Sequence, residues 1–409
     1  MTSESRSGGS LHHPRRVSAK ALVCLACGAI GLAAWSSQSP ANAVPVSVGA
    51  SAIATPLATS VETADGTWST VPMGHLREAN NTFWQLFFRA NGSSSWSDDV
   101  KATAVATNGG ILLASTGGHS LLVGVRPSGL LKFSPLIATN DAGNSWSNGL
   151  LSKGLAGHPG ALAADADGQD LALVSVPGGT QVLTSDNQLS NWRSLANLQS
   201  LAGTAGGRAC DLTSLTAVSF SSGDPVIGGR CGNPGAVGIL AELAGTWQLV
   251  GPKLPSSLAW AGVEVLSLQP TDNGLSVLLG VSHGASKSLI AAWTSNGDWQ
   301  WTTSPVLRVG PSDRVESFGP AAGGGFFVLF SGGSANKLEV LDDPGGRWDL
   351  LPPPPTGTAT VTFNAGASID ALVVNDTVMT DWSLDSGATV WTKGRAVSVP
   401  IQFGSSAGA

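Results

Sequence analysis

Carboxylates and arginines are the side chains of this 409-residue sequence best placed to do chemistry. Two carboxylates roughly 5 to 10 Å apart across a glycosidic bond supply the acid and the base or nucleophile of glycoside hydrolysis. Asp98, Asp99, Asp211, Glu264, Asp313 and Glu316 are the candidates outside the repeated turns described below. Arg126, Arg230 and Arg314 are candidates for binding the anionic group of a ligand in a central funnel. Spacing alone leaves two readings of these arginines open, a shared anion site and separate solvated loop charges. It assigns no catalytic residue.

Other chemistries find little support. The stretch "DADGQD" at 165–170 alternates carboxylates around Gly168, as part of a calcium loop would; lying between two strand-like runs, it reads as a polar hairpin turn. His75, His119, His158 and His283 sit singly in glycine-rich loops, so no metal site is expected. No cofactor, nucleophile elbow or phosphate-binding glycine loop is expected either.

The formal net charge is −6, and the 21 Lys and Arg residues form no run or patch. Nucleic acid is thereby excluded as a partner, because phosphate binding needs clustered cations. Charged residues make up 12% of the chain against about 25% in average globular proteins, and 53 residues are Gly. Few charges and many glycines suit an all-β protein of short strands and tight turns.

The first residues carry an export address. Arg15, Arg16 and Lys20 precede the apolar run Ala21–Trp35, and a small-x-small site ends at Ala43. That layout predicts a secretory signal peptide over 1–43, cleaved after Ala43 with no membrane span thereafter, the alternative being a retained membrane anchor. The protein is expected to be secreted or held in the cell envelope, as a monomer. Residues 44–62 read as a linker or edge strand, and 404–409 as a disordered tail. Cys24 and Cys27 leave with the leader. Cys210 and Cys231 flank two strand-like runs joined by the turn "SSGDP", so a hairpin brings them opposite each other and a disulfide is expected.

The elements that must position any site are set by an internal repeat. Trp recurs after a turn-like segment at Trp96, Trp146, Trp192, Trp247, Trp299, Trp348 and Trp391, on average about 49 residues apart. Upstream of these tryptophans lie apolar β-forming runs broken by Gly, Asn or Asp turns; downstream, short strands run into Pro or Leu. One four-stranded blade per repeat gives a β-propeller over 63–403, with seven blades and six as the alternative. The C-terminal "AVSVPIQF" is expected to close the ring by completing the N-terminal blade. No helical periodicity survives after the leader.

Within the repeat, "TNDAGNSW" places Thr139, Asp141, Gly143 and Trp146 in the pattern S/T-x-D-x-G-x-x-W. Worn copies keep Asp343, Gly345 and Trp348, and Ser383, Asp385, Gly387 and Trp391; Thr184 and Asp186 keep less, and "TSNGDW" before Trp299 less still. The pattern resembles the Asp-box of the sialidase-like (BNR-repeat) β-propeller superfamily. The chemistry of such a turn is structural: Asp accepts backbone N–H bonds, the hydroxyl ties the incoming strand, Gly takes positive φ, and Trp buries apolar area.

The resemblance implies that these turns join the third and fourth strands of a blade, away from the catalytic face. It also implies a sialidase apparatus of three arginines, an Asp acid/base and a Tyr nucleophile activated by Glu. This chain has no Tyr and no Arg-Ile-Pro motif. The expected function is therefore a binding or scaffold module for a glycan or a protein. The alternatives are a divergent, exo-acting glycoside hydrolase working through a carboxylate pair and, more weakly, an assembly factor.

Overall fold

The computed structural model describes residues 57–399, except 75–81, 99–109, 127–134, 149–157, 177–178, 187–188, 190, 272–273, 296–297, 333–334 and 365–367. The expected leader, its cleavage point and the tail lie outside the described residues, as do His75 and Asp99.

The described chain is a succession of antiparallel strand sets in which each strand pairs with the next. The first set, Thr59–Ala90, has three strands and gains Ser97 through a single bridge to Phe88. Four-stranded sets follow at Ile111–Asn148, His158–Asn197, Leu212–Leu249, Gly262–Thr303, Arg314–Leu350 and Thr358–Ser398. We number these second to seventh. The nine-stranded sheet is the fourth and fifth sets, bridged by the pairing of Arg230 with Glu264. The fold is the all-β propeller architecture expected from the tryptophan spacing.

Burial explains why the sequence shows apolar runs rather than strict alternation. Second strands such as Leu121–Val125 are buried along their whole length, and Gln169–Val176 and Phe326–Ser331 nearly so. Each is sandwiched between neighbouring sheets, so both faces need apolar residues. The outermost strand Thr392–Ser398 is exposed almost throughout. Inner strands of the third to seventh sets carry irregular registers near their starts, as between Pro159 and Ala161, Val265 and Ser267, Val315 and Ser317, and Thr358 and Thr360. Such bulges add the local twist that curled sheets need.

Repeat tryptophans stitch one set to the one before it. The indole N–H of Trp348 donates to the Pro305 carbonyl (3.0 Å), and that of Trp391 to the Pro352 carbonyl (3.1 Å). In the fifth set Trp301, rather than Trp299, makes the corresponding bond, to the Val250 carbonyl (2.6 Å). Trp299 packs against Trp301 at 6.4 Å.

Of the segment expected to close the ring, only Ala396–Val399 is described; 400–403 lie outside the described residues. Ala396–Ser398 pairs with Val378–Thr380 of its own set. The first set takes its inner edge from Thr59–Thr63, and its third strand gains a single bridge to Ser97 on the outer side. The first and seventh sets instead pack face to face: Val71, Met73 and Phe87 share a core with Leu372 and Met379. The Gly74 N–H also donates to the Asp376 carbonyl at 2.7 Å.

Two short helices interrupt the β pattern between the third and fourth sets, α1 at Leu198–Ala202 and α2 at Ala205–Cys210. They are too short for periodicity to reveal, but their caps are local. Asn197 and Ser200 form a capping box, and Thr204 accepts from the Gly207 N–H.

Candidate functional site

The turn at Asp141 is held by its own side chains. Thr139 donates to Asp141 Oδ1 (2.9 Å) and accepts from the Gly143 N–H (3.0 Å). The Ser145 N–H donates to Asp141 Oδ1 (2.8 Å), and the Ser145 hydroxyl to Oδ2 (2.6 Å). These donors favour the ionised carboxylate and lower its pKa. Gly143 has φ +82, and a Cβ there would meet the Trp68 ring at 2.9 Å. Trp146 meets Trp68 edge-on at 6.0 Å. Both carboxylate oxygens of Asp141 are thus engaged within its hairpin, which joins the third and fourth strands of the second set.

The worn copies keep the backbone and not the side-chain network. Gly345 (φ 87) and Gly387 (φ 76) turn the chain, while Asp343 and Asp385 accept from Gly346 and Ala388 through their main-chain carbonyls. Ser383 turns away from Asp385 and donates to Asp370 Oδ1 at 2.8 Å.

The described carboxylates singled out from sequence are spread over the first, fourth, fifth and sixth sets. Asp313 pairs with Lys337 (2.8 Å), and Glu316 pairs with Arg314 (3.2 Å) and accepts from Ser331. Glu264 lies opposite Arg230 in the strand register. Asp211 caps α2 with left-handed backbone. Arg126, Arg230 and Arg314 belong to the second, fourth and sixth sets; Arg314 is exposed, and desolvation lowers the pKa of Arg126. His119 finds a partner across sets, Asp65, at 2.8 Å. No group of three or more His, Cys, Asp or Glu residues fit to hold a metal occurs among the described residues. Asp165 accepts from the Gln169 N–H (2.7 Å) and closes its hairpin. Gly280-Val281-Ser282-His283-Gly284 does match G-x-S-x-G, but it runs into a strand-to-strand hairpin, not the strand-to-helix turn that exposes a nucleophile.

The acidic pair that does converge escaped the sequence reading. Arg89, near the end of the first set's third strand, reaches the seventh set and donates to Asp370 and to Asn364. Asp370 also accepts from Asn364 Nδ2 (2.7 Å) and from Ser383. Asp381 lies 4.0 Å from the same guanidinium, which stacks over Trp96 at 4.7 Å. Desolvation and the neighbouring Asp370 push the Asp381 carboxyl up to about 6. The side chains of Arg89, Asp370 and Asp381 are only 11%, 2% and 8% exposed. Acids buried this deeply between two sheets have no room for a sugar between them. In sequence, Arg89 lies in "FFRAN" at Phe87–Asn91, only a distant echo of an Arg-Ile-Pro motif, and "DWSLD" sits beside a worn turn.

A different set of residues faces solvent at the opposite end of the sheets from the Asp141-type hairpins. Trp260, on the connection from the fourth to the fifth set, is 79% exposed. Its backbone is nevertheless fixed. Leu258, Ala259 and Ala261 donate to Pro255, Ser256 and Leu258, and the Gly235 N–H donates to the Ala261 carbonyl (2.8 Å). Gly235 (φ +74) packs against Ala259 so closely that a Cβ would meet its carbonyl oxygen at 2.6 Å. The hairpin bearing Gly235 is in turn fastened to α2 by the disulfide Cys210–Cys231. Asn233 adds bonds to the carbonyls of Cys210 and Ala209. The expected disulfide therefore belongs to the scaffold beneath an exposed aromatic.

No family model matches the chain, and no curated protein matches it. Solved structures do. A protein from Lactobacillus plantarum shares 10% identity over 82% of this chain and 97% of its own, with a TM-score of 0.52. YCF48 bound to D1 peptide shares 16% identity over 69% of this chain and 81% of its own (TM-score 0.44). A prolyl endopeptidase shares 11% over 84% of this chain and 50% of its own (TM-score 0.49). At such identities the likeness is one of fold alone.

Proposed function

We propose that this protein is an exported, monomeric, non-catalytic β-propeller that binds a protein or glycan ligand through the end carrying Trp260. Its seven strand sets serve as seven blades, and the turn around Asp141 supports membership of the sialidase-like Asp-box superfamily. One observation carries the binding reading: Trp260 is 79% exposed on a backbone immobilised from both sides. Burying a Trp side chain removes on the order of 150–250 Å² from water, worth roughly 4–6 kcal/mol at about 25 cal/mol per Å². A rigid side chain that forgoes this in the free protein is suited to gain it on a ligand at little entropic cost.

The test is photo-crosslinking from position 260 in the exported protein, alongside glycan-array binding of wild type and Trp260→Ala. Binding to neither glycans nor proteins through this end would sink the proposal. The competing glycoside hydrolase reading needs turnover on a panel of glycosides that a single carboxylate substitution abolishes. The engagement of Asp313 and Glu316 by cations and the burial of Asp370 and Asp381 weigh against it.

A further inference from the structure

We propose that Arg89, Asp370 and Asp381 form a proton-operated clasp on the seam where the first and last strand sets close the ring. Among the described residues no strand is shared across the seam, since the described C-terminal strand pairs within its own set; apart from the Gly74–Asp376 backbone bond, side chains hold it. Its outer part is polar, whereas cores such as that between the fourth and fifth sets are apolar. Two buried carboxylates meet one guanidinium there. Asp370 is fully engaged by Arg89, Asn364 and Ser383. Asp381 is engaged less: the Trp382 backbone N–H bears on it, but its Oδ1 is buried without a well-formed hydrogen bond, and so is the Trp96 indole N–H, which bears on the same carboxylate from outside hydrogen-bond geometry. Thr360 and Thr362, on the inner strand of the same set, also keep buried hydroxyls without partners.

The charges around Asp381 leave the clasp one cation short. From the first set come Arg89 and the exposed Glu62, whose carboxyl is raised by desolvation and drawn back down by Arg89. Asp98 follows Trp96 in the chain. From the seventh set come Asp370 and, on the outermost strand, exposed Lys393 and Arg395, the latter spent on the Ser95 hydroxyl at 2.9 Å. A proton on Asp381 removes the uncompensated charge and lets its unpaired Oδ1 act as a donor. Because its carboxyl titrates about 6 in the fold, above its ordinary 3.8, the folded seam takes up a proton as pH falls through about 6. Closure strengthens on that descent and weakens as pH rises again.

Urea unfolding of wild type and Asp381→Asn between pH 7.5 and 5.0 tests this. The wild-type folding constant should rise by about tenfold across that range from this group alone, and Asp381→Asn should lose that rise while matching or exceeding wild type at pH 7.5. Should Asp381→Asn not fold, hydrogen exchange on wild type gives the answer. Amides of Thr82–Ala90 and Val378–Asp385, corrected for intrinsic rates, should gain protection at pH 5.0 relative to those of Gly274–His283. The proposal is overturned if Asp381→Asn keeps the wild-type pH profile, or if seam and fifth-set amides respond to pH alike.

Discussion

The guanidinium of Arg89 and the carboxylate of Asp370, 281 residues apart in the chain, pair across the seam between the first and last strand sets. Removing the cation leaves two buried acids with no counter-charge. Arg89→Met should therefore cost about 3–5 kcal/mol in urea unfolding at pH 7.5. Loss below about 1 kcal/mol would show that solvent already screens the pair.

Trp260→Ala should leave stability within about 0.5 kcal/mol of wild type, since the side chain touches so little in the free protein. Ligand binding should fall at least tenfold. A stability loss with intact binding would reverse the roles assigned to it.

Cys210 and Cys231 close a loop of sequence separation 21. Replacing both by Ser should cost about 3 kcal/mol in guanidinium unfolding. It should also weaken binding through Trp260, because the hairpin carrying Gly235 loses its anchor. Unchanged affinity would mean that the hydrogen bonds of Asn233 suffice to hold that end.

Asp141→Ala should lower the melting temperature by removing the acceptor for Ser145, while leaving ligand binding unaltered. The depressed carboxyl of Asp141 adds a pH signature. Its contribution is present above the unfolded value and is lost as pH falls through the lower folded one, so the gap between wild type and variant should narrow only in acid. A binding defect at neutral pH would move this turn into the site.

Trp348→Phe removes the indole donor to Pro305 while keeping most of the ring. A loss of about 1 kcal/mol is expected by thermal or urea unfolding. The same change at Trp299, which makes no such stitch, should cost less.

Much of the architecture was legible from the chain alone because it is repetitive and local. The tryptophan spacing, the apolar runs of doubly buried strands and the turn glycines each report on residues a few positions apart. The pairing of Leu212 with Cys231 and of Ser221 with Asp224 could be read the same way, since one hairpin brings the cysteines together. The turn at Asp141 follows from eight residues in a row, Thr139–Trp146.

Contacts between distant residues left no such trace. Arg89 sits in "FFRAN", a distant echo of an Arg-Ile-Pro motif, and no local pattern marks Asp370 or Asp381, because their meaning comes from a meeting across the chain. Ser383 fits the turn pattern yet serves the seam. Among the described residues the first and seventh sets meet by face-to-face packing, while Ala396–Ser398 stays within its own set. Trp260 was unremarked in sequence because exposure belongs to the assembled surface and not to residue type. Sequence by itself determined the repeated unit, through periodicities that local sterics and burial enforce; tertiary structure decided which polar groups are buried together and which aromatic is left in water, since both depend on where the chain's ends and loops meet in space.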